Sequence, residues 1–227
     1  MAKFAAGLFL LAFALPALGV QEPAADAAAK AALQKLAARM KEARTLTAKV
    51  IQSRRTELLD KPIVSSGTMA YRRDPARLVF HLTEPRTAEI HLDKTSYQVY
   101  RPDEKRLERI DFEGEDVTAK ILMVFEPKTE DIGKAFSIRG GEAHEGQIEV
   151  RLESTDEKFR KRMKKIALTV AEADGALRRI AYTDAEGDEV QFDLSEVVIN
   201  PDLPADLFTL KIPEGTRVLR RTVTPSK

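Results

Sequence analysis

Ile148-Glu149-Val150-Arg151-Leu152-Glu153 alternates apolar and charged residues without a break, and related alternation returns at Lys165-Ile166-Ala167-Leu168-Thr169-Val170 and Glu189-Val190-Gln191-Phe192-Asp193-Leu194. A period of two puts the apolar side chains on one face of an extended strand and the polar ones on the other. Gly, Asp and Asn residues separate the runs, so they read as neighbouring strands of one antiparallel sheet, dry on one side and wet on the other. A curved sheet of this kind encloses either its own core or a ligand.

Working outward toward the amino terminus, Leu33, Leu36, Ala37 and Met40 fall at helical spacing within Lys30 to Arg44 and predict an amphipathic helix. Extended segments are predicted at about 46 to 57, 64 to 73, 77 to 83, 88 to 93, 96 to 101 and 106 to 112. Pro75, Pro85 and Pro102 sit at the joints, where a missing backbone donor costs least. Asp116 is placed to cap a second helix that runs through Phe125 and stops at Pro127. Val117, Ile121, Leu122, Val124 and Phe125 cover more than a narrow stripe of that helix, so most of its circumference is expected to be buried. Turns are expected at Gly140-Gly141, Asp174-Gly175 and Glu186-Gly187. The expected fold is mainly β (α+β), a curved antiparallel sheet whose open side is plugged by helices.

The chain has 227 residues, enough for one domain with a substantial core. Residues 1–19 read as a secretory signal: Lys3 gives the positive start, Leu8 to Leu15 the apolar stretch and Ala17-Leu18-Gly19 a small-x-small cleavage site. The Ala-rich residues 20–29 read as a flexible tether, leaving 30–227 as a single domain. Cysteine is absent, which excludes disulfides, a thiolate zinc site and a thiol nucleophile. Of the 37 basic and 36 acidic residues, the signal would remove only Lys3, so no global field draws the chain to nucleic acid.

Residues with the means for chemistry are few. If Leu78, Phe80 and Leu82 share a face with Ile90 and Leu92, then His81 and His91 lie side by side on the other face; two imidazoles fall short of the three or four ligands of a zinc site. Gly140 to Gly146 lacks the Lys and Ser/Thr of a phosphate loop and reads as a hairpin loop. Asp184 to Asp188 lacks the terminal glutamate of a calcium loop. No catalytic residue and no metal site is singled out. Two basic clusters remain, one from Lys158 to Lys165 and one at Arg217, Arg220 and Arg221. They read as a solvated loop and tail, or as a docking patch for anionic headgroups or an acidic partner, with Lys161, Arg162 and Lys164 as its candidates.

Gly67-Thr68-Met69-Ala70-Tyr71-Arg72-Arg73-Asp74-Pro75, then Glu84-Pro85, Ile90-His91-Leu92-Asp93 and Tyr97-Gln98-Val99-Tyr100-Arg101-Pro102 follow one another in order. The end of the chain adds Asn200-Pro201-Asp202-Leu203, Phe208 and Pro213-Glu214-Gly215-Thr216-Arg217-Val218. Together these resemble the periplasmic outer-membrane lipoprotein carriers, the LolA-like family. Asp74 stands between Arg73 and Pro75, Lys94 replaces a turn glycine, and Gln98 stands where many members have Trp.

The resemblance implies an unclosed β-barrel with helices over its mouth, acting as a non-enzymatic periplasmic carrier or chaperone. It would shelter lipoprotein acyl chains, or another lipid, and pass them from an inner-membrane releasing complex to an outer-membrane acceptor. The same fold also serves periplasmic sensors that bind a regulatory partner protein, which is the alternative. No cofactor and no nucleic acid is implied, and the protein is expected to be a monomer. Cavity-facing residues on this reading are Leu78, Phe80, Leu82, Ile90, Leu92, Val150, Leu152, Ile166, Leu168, Phe192 and Leu194, each of which could equally be plain core. The lids would present Leu33, Leu36, Met40, Val117, Ile121, Leu122 and Phe125, and the arginine that holds the lid maps to Arg73 or Arg72.

Overall fold

The computed structural model describes residues 22–113, 117–125 and 129–224. Helix α1 (Glu22–Lys41) is followed by six strands: β1 (Thr45–Arg55), β2 (Ile63–Arg72), β3 (Arg77–Glu84), β4 (Ala88–Asp93), β5 (Ser96–Arg101) and β6 (Arg106–Phe112). Two short helices come next, α2 (Val117–Leu122), continued by a 3-10 turn at Met123–Phe125, and α3 (Thr129–Ala135). Strands β7 (Phe136–His144) and β8 (Gln147–Ser154) lead to α4 (Glu157–Arg162), then β9 (Met163–Ala171), β10 (Leu177–Asp184), β11 (Glu189–Ile199) and finally β12 (Arg217–Val223). The strands form one sheet in the order β12-β6-β5-β4-β3-β2-β1-β11-β10-β9-β8-β7. Its two edges, β12 and β7, do not pair with each other, so the barrel is unclosed.

Register follows from the alternation. Val150, Leu168, Ile180 and Phe192 stand in one row across β8 to β11, and Leu152, Ile166, Tyr182 and Val190 in the next. On the other half of the sheet Met69, Phe80, Ile90 and Val99 form a matching row across β2 to β5. These rows face inward and join one continuous core with Leu33, Leu36 and Met40 of α1. A one-residue slip in any strand would turn its apolar set to water, which is why the pattern fixes the register so firmly.

Helix α1 begins at Glu22, so the stretch expected to be a tether is helical from that residue on. Alanine is the strongest helix former, and Pro23 falls in the first turn, where its missing N–H is no loss. Tertiary contact holds this end: Asp26 Oδ1 accepts from the Gly140 amide at 2.7 Å, and Ala29 is fully buried. The expected Asp116 cap lies outside the described residues, as does the segment 1–21.

The Gly140-Gly141 pair is not a turn. It lies within β7, where the pairing with β8 shifts between Gly140 and Ala143, and the hairpin turns at Glu145-Gly146 instead. A Cβ on Gly140 would stand 2.2 Å from the carbonyl carbon and oxygen of Ala25. Glycine is there because α1 crosses the strand at backbone contact. Gly175, in the turn after β9, plays the same part against Lys35, where a Cβ would come within 2.7 Å of the backbone.

The carboxyl-terminal basic cluster is exposed, as expected, but it lies on a strand rather than in a loose tail. Residues Arg217–Val223 form β12, which runs parallel to β6 with Arg217 opposite Arg106 and Val223 opposite Phe112. To reach that edge, the chain after β11 passes over the outer face of the sheet. There Phe208 is buried against Ala70 and Val79, its carbonyl accepts from Arg77 at 3.0 Å, and the Arg72 guanidinium sits 4.7 Å from its ring centroid. The back of the barrel is therefore partly covered. The crossing also makes β12 parallel where an all-antiparallel sheet was expected.

Candidate lipid-binding cavity

Between the sheet and the α2 segment lies a cavity of about 110 Å³. Seven of the eleven expected cavity residues line it: Leu78, Phe80, Ile90, Leu92, Leu152, Ile166 and Phe192. The other four, Leu82, Val150, Leu168 and Leu194, are buried in the core but stand off the wall. Ile121 and Phe125 reach the wall from the lid side, together with Val124, while Leu122 is fully buried behind them. Val117 opens α2, and its side chain lies outside the described residues.

The two helices expected as lids differ. Leu33, Leu36 and Met40 of α1 are almost completely buried, yet none of them lines the cavity. Helix α1 instead fills its share of the barrel and is fastened along its length: Lys35 Nζ donates to the Glu172 carbonyl at 2.7 Å, and Arg39 lies 3.4 Å from the Asp174 carboxylate. Its carboxyl end is met by Arg73, whose guanidinium donates to the carbonyl of Lys41 at 3.0 Å and to that of Met40. A cation on the last, otherwise unpaired carbonyls satisfies them and complements the helix dipole. Arg72, one residue away on an extended strand, points to the opposite face and to Phe208.

Helix α2 and its 3-10 turn cover the cavity directly. Phe125 stacks on Tyr71 of β2, and Phe80 stacks on Phe192 across the barrel at 4.9 Å between centroids. Phe136 and Phe159 meet edge to face at 5.7 Å and close the side next to α4. Polar groups on the wall are Gln52, Tyr97, Lys120 and Tyr182. Burial pushes the phenols of Tyr97 and Tyr182 above their ordinary range, so both stay neutral. Lys120 Nζ bonds Asp156 Oδ2 at 2.7 Å, and Asp156 caps α4 by accepting from the amides of Lys158 and Phe159. That hydrogen bond from Lys120 is the largest cause holding the Asp156 carboxyl below the usual range.

Sequence reasoning missed Lys120, Phe136, Phe159, Met163 and Ile180 on the wall. Ile180 stands in the same inward row as Phe192 and Leu168 and could have been read from the pairing of their strands. Lys120 and Phe159 sit on helices of only six residues, too short to show a period.

The basic residues from Lys158 to Lys165 form α4 and the start of β9 rather than a loop. Lys161 is exposed and pairs with Glu157 at 3.1 Å; Lys164 donates to the Ala185 carbonyl at 3.0 Å; Arg162 is half-buried beside them. His81 and His91 do share the outer face, but the register sets His81 opposite Glu89 and His91 opposite Val79, so they are offset rather than side by side. His91 is buried and its Nε2 lies 3.6 Å from Glu89, whereas His81 is exposed. Among the described residues no cluster of His, Cys, Asp and Glu could hold a metal ion, and no helix is long and apolar enough to cross a membrane.

Comparison with known proteins finds the following similarities. Residues 41–211 match the family described as outer membrane lipoprotein carrier protein LolA. An outer-membrane lipoprotein carrier protein of Cupriavidus pinatubonensis is 22% identical over 159 residues, covering 69% of this chain and 71% of that one. Among solved structures, a LolA superfamily protein from Nitrosomonas europaea is similar with a TM-score of 0.43 and 14% identity, over 80% of this chain and 97% of the other. The Mycobacterium tuberculosis lipoprotein LppX gives a TM-score of 0.45 and 12% identity, over 78% and 98%. With its match spanning most of the described barrel, the chain belongs to the LolA family of outer-membrane lipoprotein carrier proteins.

Proposed function

We propose that this protein is an exported, non-enzymatic carrier that shelters the acyl chains of lipoproteins, or another lipid, beneath α2 and passes them across the periplasm. The observation that carries the reading is the cavity itself, walled by aromatic and aliphatic side chains from both halves of the sheet and covered by a short helical segment. Its volume of about 110 Å³ is well under the roughly 300 to 1,000 Å³ of a ligand pocket, and on this reading it is the closed form of a site that opens with its cargo.

The energetics suit such an arrangement. A methylene buried from water is worth about 0.8 kcal/mol, so a chain of about sixteen carbons represents on the order of 12 kcal/mol of gross transfer energy. A carrier that kept all of it could not release its load. Here the lid's own contacts, chiefly Phe125 on Tyr71 and Ile121 on the wall, are surrendered when cargo enters and recovered when it leaves, which offsets part of that energy. Arg73 serves as the arginine that holds the end of α1, so α1 is the fixed support outside the cavity and α2 the moving cover. Residues 1–19 act as the cleavable export signal. Lys161, Arg162 and Lys164 form the docking patch for an inner-membrane releasing complex or an outer-membrane acceptor, and the carrier works as a monomer.

Native mass spectrometry of the exported protein, purified without strong detergent, is expected to show a bound lipid or lipoprotein. An apo mass alone, together with no uptake of a fluorescent fatty acid, would overturn the proposal.

A further inference from the structure

Among the described residues that line the cavity, one is charged, Lys120. The side chain is only 7% exposed, while its partner Asp156 is 40% exposed. The cation is thus built into an apolar wall and its carboxylate partner stands toward water. A buried ion pair adds little stability over well-packed apolar residues, since desolvation consumes most of the attraction. As a fastening for α2 alone, a methionine would serve as well.

The surroundings support a different use. Nζ lies 5.2 Å from the ring centroid of Phe159, another wall residue, where the π face stabilises a cation at the cavity surface. Asp156 has partners besides Lys120, because the amides of Lys158 and Phe159 also bond its side chain at the start of α4. It can give up the ammonium and keep two hydrogen bonds. The remaining polar wall groups, Gln52, Tyr97 and Tyr182, are neutral and offer a headgroup no charge to pair with.

We infer that the cavity is selective for an acyl chain ending in an anionic headgroup, which takes the place of Asp156 on Lys120 Nζ while the chain lies along Phe80, Phe192 and Ile166. This assignment rests on the cavity being a lipid site. An ester- or amide-linked acyl group with no charge, such as that of a lipoprotein, would leave the Lys120–Asp156 pair intact and gain nothing from it, so the inference narrows the proposed cargo to another lipid, one with a charged headgroup. The bond to the anion replaces the one to Asp156, whose 40% exposed carboxylate regains water and keeps its two amide partners, so the gain is the difference between the two and the preference for an anion should be of the order of tenfold.

The test is a fluorescence titration of the full exported protein with three probes sharing one long chain: a free carboxylate, its methyl ester and a phosphate monoester. The carboxylate or the phosphate is expected to bind about tenfold more tightly than the ester, and which of the two is tighter identifies the headgroup. Lys120→Met should bring all three affinities within about twofold, while Lys120→Arg keeps the order. Asp156→Asn removes the competing carboxylate and should tighten the anions several-fold more than the ester, a result that a purely structural latch would not give. Equal binding of all three probes by the wild-type protein overturns the headgroup assignment and leaves the carrier reading standing. Binding of none of them overturns both.

Discussion

Phe125, at the end of the lid segment, stacks on Tyr71 of β2 with ring centroids 5.1 Å apart and planes 25° from parallel. Both residues are almost wholly buried, so this pair joins the covering segment to the middle of the sheet. Removing a buried phenylalanine ring costs about 3 to 5 kcal/mol in a rigid core. In a segment that opens, part of that cost falls on the closed state alone. Phe125→Ala is therefore expected to lower the thermal midpoint and also to speed uptake of a fluorescent fatty acid in stopped-flow mixing. A lower midpoint with unchanged or slower uptake would show that the pair holds core and not lid.

The two adjacent arginines are separable by hydrogen exchange. Arg73→Gln withdraws two charge-assisted bonds from the end of α1 and should raise exchange of the amides near Leu36 to Met40 by five- to thirty-fold, corresponding to about 1 to 2 kcal/mol of local stability. Arg72→Gln should leave those amides unchanged and loosen the segment around Phe208 instead. The reverse pattern would assign the holding role to Arg72.

Close backbone approach at Gly140 predicts a contrast between two glycines of one hairpin. Gly146 has φ +73° and open space around it, so Gly146→Ala costs only left-handed strain, about 1 to 2 kcal/mol. Gly140→Ala drives a methyl group into the backbone of Ala25 and should cost more, with the amino-terminal turns of α1 lifting off β7. Urea midpoints of the two variants decide the matter, and an equal loss would mean that α1 yields at no expense.

Stability should also depend on mildly acidic pH. Burial is the largest influence on His91 and lowers its pKa; the Glu89 carboxylate 3.6 Å away only partly opposes this, and Arg77 lowers it further. The unfolded chain then takes up a proton at His91 more readily than the folded one, so stability is present above the ordinary histidine value of about 6.5 and falls as pH drops through it. Urea midpoints are expected to decline between pH 7 and 5.5, with a flatter profile in His91→Gln. A rise over that window, or an unaltered slope in the variant, would contradict the sign.

Much of the barrel was legible because period-two alternation needs no context: the strands from 45 to 112 lie within two residues of their expected bounds, and β8, β9 and β11 contain the alternating runs, though β11 continues five residues past its run. What escaped was set by contacts between distant segments. Gly140 looks like a turn residue until Ala25 is placed over it. Arg217 to Val223 looks like a basic tail because its only partner strand, β6, lies more than a hundred residues earlier. Four of the eleven residues read as cavity-facing or plain core stand off the cavity, since alternation tells inside from outside but not which part of the inside stays empty. Lys120 was passed over because its burial depends on Asp156, 36 residues further along the chain.

The seam between β12 and β7 has a consequence for capacity. A closed barrel has its girth fixed by strand number and stagger, and its bore is a constant of the fold. Without that last row of hydrogen bonds the sheet can relax its curvature and spread its edges without breaking a single ladder. On the carrier reading proposed above, the bore is therefore an elastic quantity, and one scaffold would serve guests of unequal size.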